Sequence, residues 1–207
     1  MSNRGAFLFH RIAMLAPSFV VAMFLGAPVF AQQKPMVIEP NLSASGAIKA
    51  ITVINKSGSY ILNRNIVDNR AGFDGVAVTA SNVTIDLEGF TLSSTLSTTG
   101  NGFNATGQSN VVIRNGIITG FGGAAIIVGN SGSVSAITAT LNGSGISCGI
   151  GCLASGNVIQ GNTGLGLNFA DNTSGYVGNI LQGNNNGGAQ ISSGTSLNQN
   201  VCNGTAC

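Results

Sequence analysis

The amino-acid sequence predicts an all-β fold, a single-domain parallel β-helix of roughly six to eight short coils. The first observation is a repeated unit: GVAVTASNVTIDLEGFTL, which begins at Gly75, is followed by GFNATGQSNVVIRNGIITGFGG, which begins at Gly102. The second is a series of short apolar strands, separated by Gly, Asn and Ser, that continues towards the C-terminus. The third is the lack of an amphipathic helical period in these repeats, which excludes βαβ crossovers between the strands.

The first 31 residues have the features of a cleavable secretory signal peptide. The basic residues Arg4 and Arg11 precede an apolar run at 12–25, and a small-residue cleavage motif, VFA, ends at Ala31. The apolar run is shorter than the roughly 20 residues that span a bilayer. We therefore expect cleavage after Ala31, no membrane span afterwards, and a secreted or periplasmic location.

The charges that remain after cleavage are few and balanced. Six basic residues balance six acidic ones in residues 32–207, and the only histidine, His10, lies in the leader. A formal net charge of zero provides no electrostatic field for nucleic acid, so no nucleic-acid partner is expected. The lack of histidine in residues 32–207 also excludes Ser-His-Asp and Cys-His catalytic arrangements.

Residues 32–47 are predicted to be an exposed lead-in, and residues 48–207 to be the parallel β-helix. The lead-in contains Pro35 and Pro40 and shows no apolar periodicity. Apolar residues between positions 48 and 67 form short β-type runs, which we interpret as an N-terminal cap coil. Such a cap is expected because a terminal coil must cover a core that has no neighbour beyond it.

Alternation in the clearest strand predicts which side chains are buried. Val83, Ile85 and Leu87 share one face, whereas Asp86 and Glu88 point to the other. One coil cannot bury this apolar row, but coils stacked about 4.8 Å apart bury a continuous column. A glycine followed by a short strand marks the successive coils at Gly75, Gly102, Gly123, Gly145, Gly164 and Gly188.

Gly-Asn pairs add further evidence for stacked coils. Gly156-Asn157 and Gly161-Asn162 recur 22 residues later as Gly178-Asn179 and Gly183-Asn184. Asparagines at such turns can stack along a solenoid, with their amides hydrogen-bonded from coil to coil, while glycine accepts the positive φ of a tight corner. An antiparallel β-sandwich, the main competing fold, does not predict this in-phase repetition.

Four segments carry a resemblance to a known family: GSYIL at 58–62, SNVTIDLEGFTL at 81–92, SNVVIRNGIITGFG at 109–122 and NVCNGTAC at 200–207. They are similar to the secreted right-handed parallel β-helix repeat proteins of the pectin-lyase-like superfamily. The resemblance covers residues 48–207 and implies a right-handed solenoid. It does not imply one activity, because this fold carries lyases, hydrolases, epimerases, adhesins and inert surface proteins.

Alignment of the two SNV units places Asp86 and Arg114 at equivalent outward positions of neighbouring coils. The resemblance implies a catalytic role, because polysaccharide lyases of this superfamily hold calcium with outward acids and abstract a proton with an arginine. Asp86, Glu88 and Arg114 are therefore candidate catalytic residues, and Asp86 and Glu88 are candidate calcium ligands. We favour a simple ion pair between adjacent strands, because these residues are too few for a calcium cage and substrate clamps.

Other acidic residues give weaker candidates. Asp68, Arg70 and Asp74 lie close together in the segment DNRAGFD, which suits a cation site or, more simply, a solvated turn. We favour the turn. Asp171 is interpreted as a turn former as well, because no other charged residue follows position 114.

All four cysteines lie in the last third of the chain, as Cys148-x3-Cys152 and Cys202-x4-Cys207. A zinc site needs four converging thiolates and normally has Cys-x2-Cys spacing, which neither pair shows. We therefore expect two disulfides in an exported protein. Pairing of sequence neighbours is the simplest of the three possible arrangements.

These observations favour a secreted, non-catalytic β-helix protein that acts as a carbohydrate-binding or cell-surface structural module. The expected partner is a polysaccharide or cell-surface glycan, and no cofactor is expected. The alternative is a calcium-assisted polysaccharide lyase, or a hydrolase, acting on acidic glycans. The near-absence of charge after Arg114 and the lack of histidine favour the first function. An ice-binding surface is disfavoured, because Thr138 and Thr140 form the only Thr-x-Thr row.

Overall fold

The structure, a computed structural model, describes residues 34–40, 48–96 and 99–207. These residues form a parallel β-solenoid of about seven turns, with 21 strands and, among them, one short 3₁₀ turn, Asn185–Gly187. The prediction of an all-β parallel β-helix is therefore confirmed. Its right-handed winding stays a prediction, and the predicted signal peptide, residues 1–31, lies outside the described residues.

The strands, numbered in chain order, form three parallel ladders that we call faces 1, 2 and 3. Face 1 has eight members: β1 (Met36–Val37), β3 (Gly58–Ile61), β6 (Val83–Asp86), the first half of β9 (Val111–Thr119), the first half of β11 (Ser133–Thr140), β13 (Leu153–Ser155), β16 (Gly175–Val177) and β19 (Thr195–Ser196). Each strand pairs with the strand one coil further on, as stacking of coils requires.

Face 2 follows face 1 in every coil. Its members are β4 (Ile66–Asp68), β7 (Thr91–Ser94), the second halves of β9 and β11, β14 (Val158–Gln160), β17 (Ile180–Gln182) and β20 (Val201–Cys202). Strands β9 and β11 belong to both faces because each turns a corner at one residue with positive φ, Asn115 at 61° and Ala136 at 52°.

Face 3 opens each coil and is the most regular ladder. Its members are β2 (Ala50–Ile54), β5 (Asp74–Val78), β8 (Phe103–Ala105), β10 (Ala124–Val128), β12 (Ser144–Cys148), β15 (Leu167–Phe169) and β18 (Ile191–Ser192). A coil therefore runs from face 3 to face 1 and then to face 2, which places the solenoid core between three flat sheets.

The core consists of apolar columns that run from coil to coil. The predicted inward residues Val83, Ile85 and Leu87 are 0% exposed. On face 1 the column through Ile85 contains Tyr60, Ile85, Ile113, Val134, Ala154 and Tyr176. On face 3 the central column contains Val76, Phe103, Ile126, Ile146 and Leu167. These columns give each coil the burial that it cannot achieve alone.

Buried amide columns support two corners of the solenoid, as the Gly-Asn pairs predict. Between faces 1 and 2, Asn157 Nδ2 donates to Asn179 Oδ1 at 2.9 Å, and Asn179 Nδ2 donates to Asn200 Oδ1 at 3.0 Å. Between faces 2 and 3, a second column contains Asn142, Asn162, Asn184 and Gln190. Each amide is buried and bonded along the column, so the polar corners cost little desolvation energy.

A column of small residues begins face 3 and explains part of the glycine pattern. Its members are Gly75, Gly102, Ala125, Gly145 and Gly166. A Cβ on Gly102 would collide with the carbonyl oxygen of Ala125 in the next coil, and a Cβ on Gly145 with that of Gly166. The predicted markers Gly123 and Gly164 lie two residues before this column.

The two ends of the solenoid are built differently. At the N-terminal end β1, which lies within the predicted lead-in, pairs in parallel with β3. An exposed ion pair between Glu39 and Arg64 links the lead-in to the first coil. At the C-terminal end β20 pairs in antiparallel fashion with β21 (Thr205–Ala206), and a disulfide joins Cys202 to Cys207 across this hairpin. The hairpin blocks further parallel addition to face 2.

Candidate functional site

The two SNV units lie in register on face 1, so Asp86 and Arg114 are neighbours as predicted. Strand register pairs Asp86 with Arg114, and Asn110 Nδ2 donates to Asn82 Oδ1 at 2.8 Å one corner earlier. Both asparagines have positive φ, 57° and 54°, which a tight corner requires. The repeat visible in the sequence is therefore a real structural repeat.

The Asp86 carboxylate is fully engaged by its neighbours. Its Oδ2 accepts a hydrogen bond from Arg114 Nε at 2.8 Å, and its Oδ1 accepts from the Glu88 backbone N–H at 2.9 Å. Asn115 Nδ2 also donates to Oδ1, at 3.1 Å. The Arg114 side chain is 52% exposed, whereas that of Asp86 is 15% exposed. This arrangement is the ion pair between adjacent strands that the sequence analysis favours.

These contacts determine the protonation of Asp86. Partial burial raises the pKa of its carboxyl, but hydrogen bonds from the Glu88 N–H, from Arg114 and from Asn115 outweigh burial and hold the pKa below its usual value. The Arg114 guanidinium is in turn engaged through Nε by this carboxylate.

Glu88 lies beyond the end of the strand that carries Asp86. Strand β6 ends at Asp86, and Glu88 and Gly89 form a turn with φ of 49° and 80°. Phe90, beyond this bend, packs against the core. Among the described residues no group of three or more His, Cys, Asp and Glu side chains is arranged to hold a metal ion. Calcium binding by Asp86 and Glu88 therefore stays a prediction.

Asp68 lies in a strand and not in the solvated turn that the sequence favours. It ends β4 with the same inward parity as Ile66 and is 1% exposed. Its Oδ1 accepts a hydrogen bond from the Arg70 N–H at 2.9 Å, but its Oδ2 and Arg70 Nη2 are buried without hydrogen-bond partners. Burial raises the pKa of Asp68, against the opposing effects of the Arg70 N–H and charge. The sequence could have indicated this burial, because Asp68 lies two residues after Ile66 and therefore points to the same side of the strand.

The cysteines differ from the sequence expectation at one pair. Cys202 and Cys207 form a disulfide, as expected. Cys148 and Cys152 are free thiols in this structure, both buried.

Asp171 acts as the predicted turn former, because its Oδ1 accepts from Thr173 N at 3.0 Å and from Thr173 Oγ1 at 2.8 Å.

The outer surface of face 3 contains a polar groove that the sequence analysis did not identify. A cavity of about 370 Å³ lies over β5 and β8, and a second of about 290 Å³ lies over β10 and β12. They share Thr106, so together they follow the face from Lys49 to Ser147. Four strands at roughly 4.8 Å spacing make this groove about 14 Å long. We call it the face 3 groove.

The face 3 groove is lined by uncharged polar side chains together with glycine and apolar residues, and several of the polar side chains are fixed by hydrogen bonds. Asn104 Nδ2 donates to Asp74 Oδ2 at 2.8 Å, while Asn104 Oδ1 accepts from Thr106 Oγ1 at 2.7 Å. Asp74 Oδ1 accepts from both nitrogens of Asn101. The remaining lining contains Gln108, Ser109, Asn130 and Ser147, with Ala77 and Ile127 between them. The sequence feature that could have indicated this groove is strand alternation, which places Asn104, Ile127 and Ser147 side by side on the outer surface of face 3.

The fold and this groove define the molecule as a parallel β-solenoid with a polar groove along one sheet. No family model, no curated protein and no solved structure matches the chain. The resemblance to the pectin-lyase-like superfamily therefore stays a prediction. None of the helical segments in the described part of the chain has the length and apolar character to cross a membrane.

Proposed function

We propose that the protein is a secreted, non-catalytic glycan-binding β-solenoid whose ligand is a neutral polysaccharide lying in the face 3 groove. The observation that carries this proposal is the groove itself, which is open and lined by amide and hydroxyl side chains interspersed with glycine and apolar residues. Such groups donate and accept hydrogen bonds as sugar hydroxyls do. The exposed part of Ile127 provides an apolar contact for the C–H face of a sugar ring.

The charge of the lining favours a neutral ligand over an acidic one. An acidic polysaccharide carries a carboxylate at each repeated sugar, and its binding requires several basic groups. Lys49, at one end, is the only basic residue in the described lining of the groove. The one carboxylate, Asp74, is already bonded to Asn101 and Asn104. The groove thus suits a chain whose binding depends on hydroxyl groups.

Secretion is part of the proposal and has two supports. The leader of 31 residues has the pattern of a cleavable signal peptide. The Cys202–Cys207 disulfide is typical of proteins from oxidising compartments. Mass spectrometry of the protein from the culture medium or periplasm of its host should find Gln32 as the first residue. Retention of the leader in that fraction would contradict this part of the proposal.

Affinity gel electrophoresis tests the binding site directly. We expect soluble neutral glucans, galactomannans or xylans to retard the protein, and pectate and alginate not to. Ser147→Trp places a bulky ring in the groove and should weaken binding at least about tenfold. Ser155→Trp is the matched control, since Ser155 has the same outward position on face 1. Equal loss in both variants, or no retardation by any neutral glycan, would contradict the proposal.

A lyase acting on acidic glycans is the second candidate, supported by the pairing of Asp86 with Arg114 on neighbouring coils. It requires Arg114 to contact the substrate, whereas Arg114 Nε is already bonded to Asp86. Release of unsaturated uronides from pectate or alginate in the presence of calcium would establish this activity. Loss of that release in Arg114→Ala, with Lys56→Ala as control, would assign it to the face 1 pair and reject the non-catalytic function.

A further inference from the structure

The Cys148 and Cys152 thiols form a buried pair at the corner between faces 3 and 1. Cys148 ends β12 and Cys152 precedes β13, so only residues 149–151 separate them. They are 4% and 3% exposed, and their sulfur atoms share a hydrogen bond. Cys152 Sγ also donates to the Gly129 carbonyl oxygen at 3.3 Å. Both thiol protons therefore have acceptors in the reduced form.

The turn that joins the two cysteines is held by the coils on either side of it. Ile150 N donates to Asn130 Oδ1 at 3.0 Å in the preceding coil. Cys152 N donates to Ser174 Oγ at 3.0 Å in the following coil. These contacts involve no sulfur atom, so the proximity of the two thiols is a property of the fold and does not depend on a bond between them.

The two cysteine pairs therefore occupy different environments. Cys202 and Cys207 close a terminal hairpin whose strands have two residues each, and Cys207 is exposed. Cys148 and Cys152 lie inside the continuous stack, where contacts with both neighbouring coils hold the turn that joins them. We propose that Cys148 and Cys152 are a reversible dithiol–disulfide site, whereas Cys202–Cys207 is a permanent structural crosslink.

The oxidation requires a disulfide-containing oxidant, such as a small-molecule disulfide of the glutathione type. The Cys152 thiolate attacks one sulfur of the oxidant and releases the first small thiol, which leaves a mixed disulfide. The Cys148 thiolate then attacks the Cys152 sulfur and releases the second. The protein loses two electrons and two protons, and the oxidant is reduced to two thiols. The hydrogen bond from Cys148 lowers the pKa of Cys152, which favours it as the first nucleophile.

Access to the thiols requires local opening of the turn. The central residue of the turn, Ile150, is 52% exposed, so the turn lies at the surface. Cys148 also lines the 290 Å³ cavity of the face 3 groove. If the groove binds glycan as proposed above, the two redox states should differ in glycan affinity. That consequence rests on the proposed function, whereas the redox chemistry does not.

A redox titration without glycan tests the inference. The protein is equilibrated without oxygen across a series of ratios of reduced to oxidised glutathione, quenched with acid, unfolded and alkylated with N-ethylmaleimide. Mass spectrometry should show two alkyl groups at the reducing end and none at the oxidising end, with a single two-electron transition that is the same in both directions. Peptide mapping should place both groups at Cys148 and Cys152 and none at Cys202 and Cys207.

Single variants separate an internal disulfide from independent modification. Cys148→Ser and Cys152→Ser should each accumulate one glutathione adduct in place of the internal bond, and circular dichroism should show whether each variant folds. The redox titration of the wild-type protein needs no such folding control, because it involves no substitution. Two alkylated thiols at the most oxidising ratio would overturn the inference. A Cys148–Cys152 disulfide that native-state reductant cannot open would overturn it as well, because the bond would then be permanent.

Discussion

Asp68 and Asp86 each end a strand, β4 and β6 respectively, yet the solenoid shifts their pKa values in opposite directions. The difference follows from parity. Asp68 points inward, where one carboxylate oxygen has no partner, so burial dominates and the neutral form is favoured. Asp86 points outward, where three donors engage its carboxylate and favour the charged form.

Asp86→Asn should lower the free energy of unfolding by about 0.5 to 1 kcal/mol at pH 7, because a charge-assisted bond to a half-exposed arginine is replaced by a neutral one. The pKa of Asp86 is lowered by folding, so its stabilisation is present above the unfolded pKa and is lost as the pH falls through the folded pKa. Urea unfolding between pH 2 and pH 7 should therefore show wild type and variant converging at the acidic end. A constant difference over this range would contradict the assignment.

Asp68→Asn should show the opposite pH dependence. Asparagine keeps an acceptor for the Arg70 N–H but has no charge. The pKa of Asp68 is raised by folding, so its favourable contribution is present below the unfolded pKa and is lost as the pH rises through the folded pKa. Relative to Asp68→Asn, wild type should lose stability as the pH rises from 3 to 7. Relative to Asp86→Asn it should gain stability over the same range, which makes the two variants controls for each other.

Among the elements, the amide columns are the structures that hold the corners in register. Asn179 accepts from the backbone and side-chain nitrogens of Asn157, and its own Nδ2 donates to Asn200 Oδ1 and to the Ala154 carbonyl oxygen. Four buried partners therefore depend on one side chain. Asn157 Nδ2 also donates to the Val134 carbonyl oxygen, and Asn200 Oδ1 also accepts from the Asn179 backbone N–H. The buried Asn157 N–H has only Asn179 Oδ1 as its side-chain acceptor, and water cannot reach a residue that is 0% exposed.

Asn179→Ala should destabilise the protein by about 2 to 4 kcal/mol, because it leaves the buried Asn157 N–H unpaired and removes three further buried hydrogen bonds. Asn168→Ala is the matched control: Asn168 is an exposed residue on the outer surface of face 3 and should change stability by less than about 0.5 kcal/mol. Thermal or urea unfolding followed by circular dichroism measures both. A small effect of Asn179→Ala would mean that water enters the corner and that the column is not structural.

The sequence predicts the elements better than it predicts their mutual placement. Two predictions depend only on short segments and are confirmed: the inward parity of Val83, Ile85 and Leu87, and the stacking of the Gly-Asn pairs. Local patterns of this kind can be read directly from the sequence. The face 3 groove depends on side chains from coils of unequal length. Asn104 contacts Asp74, which lies 30 residues earlier in the sequence, and no single repeat length predicts this separation. The marker Gly123 illustrates the same problem, since Ala125 takes its expected place.

Across the whole molecule, each coil is stabilised by contacts with its neighbours. An end coil has a neighbour on one side only, so unfolding is expected to begin at the ends. The last coil has a two-residue strand on each face, β18, β19 and β20, with no parallel neighbour beyond. The antiparallel hairpin and the Cys202–Cys207 disulfide compensate on face 2. Cys207 N also donates to the Asn200 carbonyl oxygen at 3.2 Å, which ties the chain end to the last member of an amide column.

Removal of the terminal disulfide should therefore loosen the last coils and leave the middle of the solenoid intact. Cys202→Ser combined with Cys207→Ser releases a short closed loop, for which chain entropy alone predicts a loss of roughly 2 kcal/mol. Hydrogen exchange should become faster in β17, β19 and β20 and remain unchanged in β6 and β9, because solenoid coils contact only their neighbours. Reduction of the wild-type disulfide should reproduce the pattern. Faster exchange of equal size in β6 would show that the seven turns unfold as one cooperative unit, and that the terminal hairpin stabilises the whole stack.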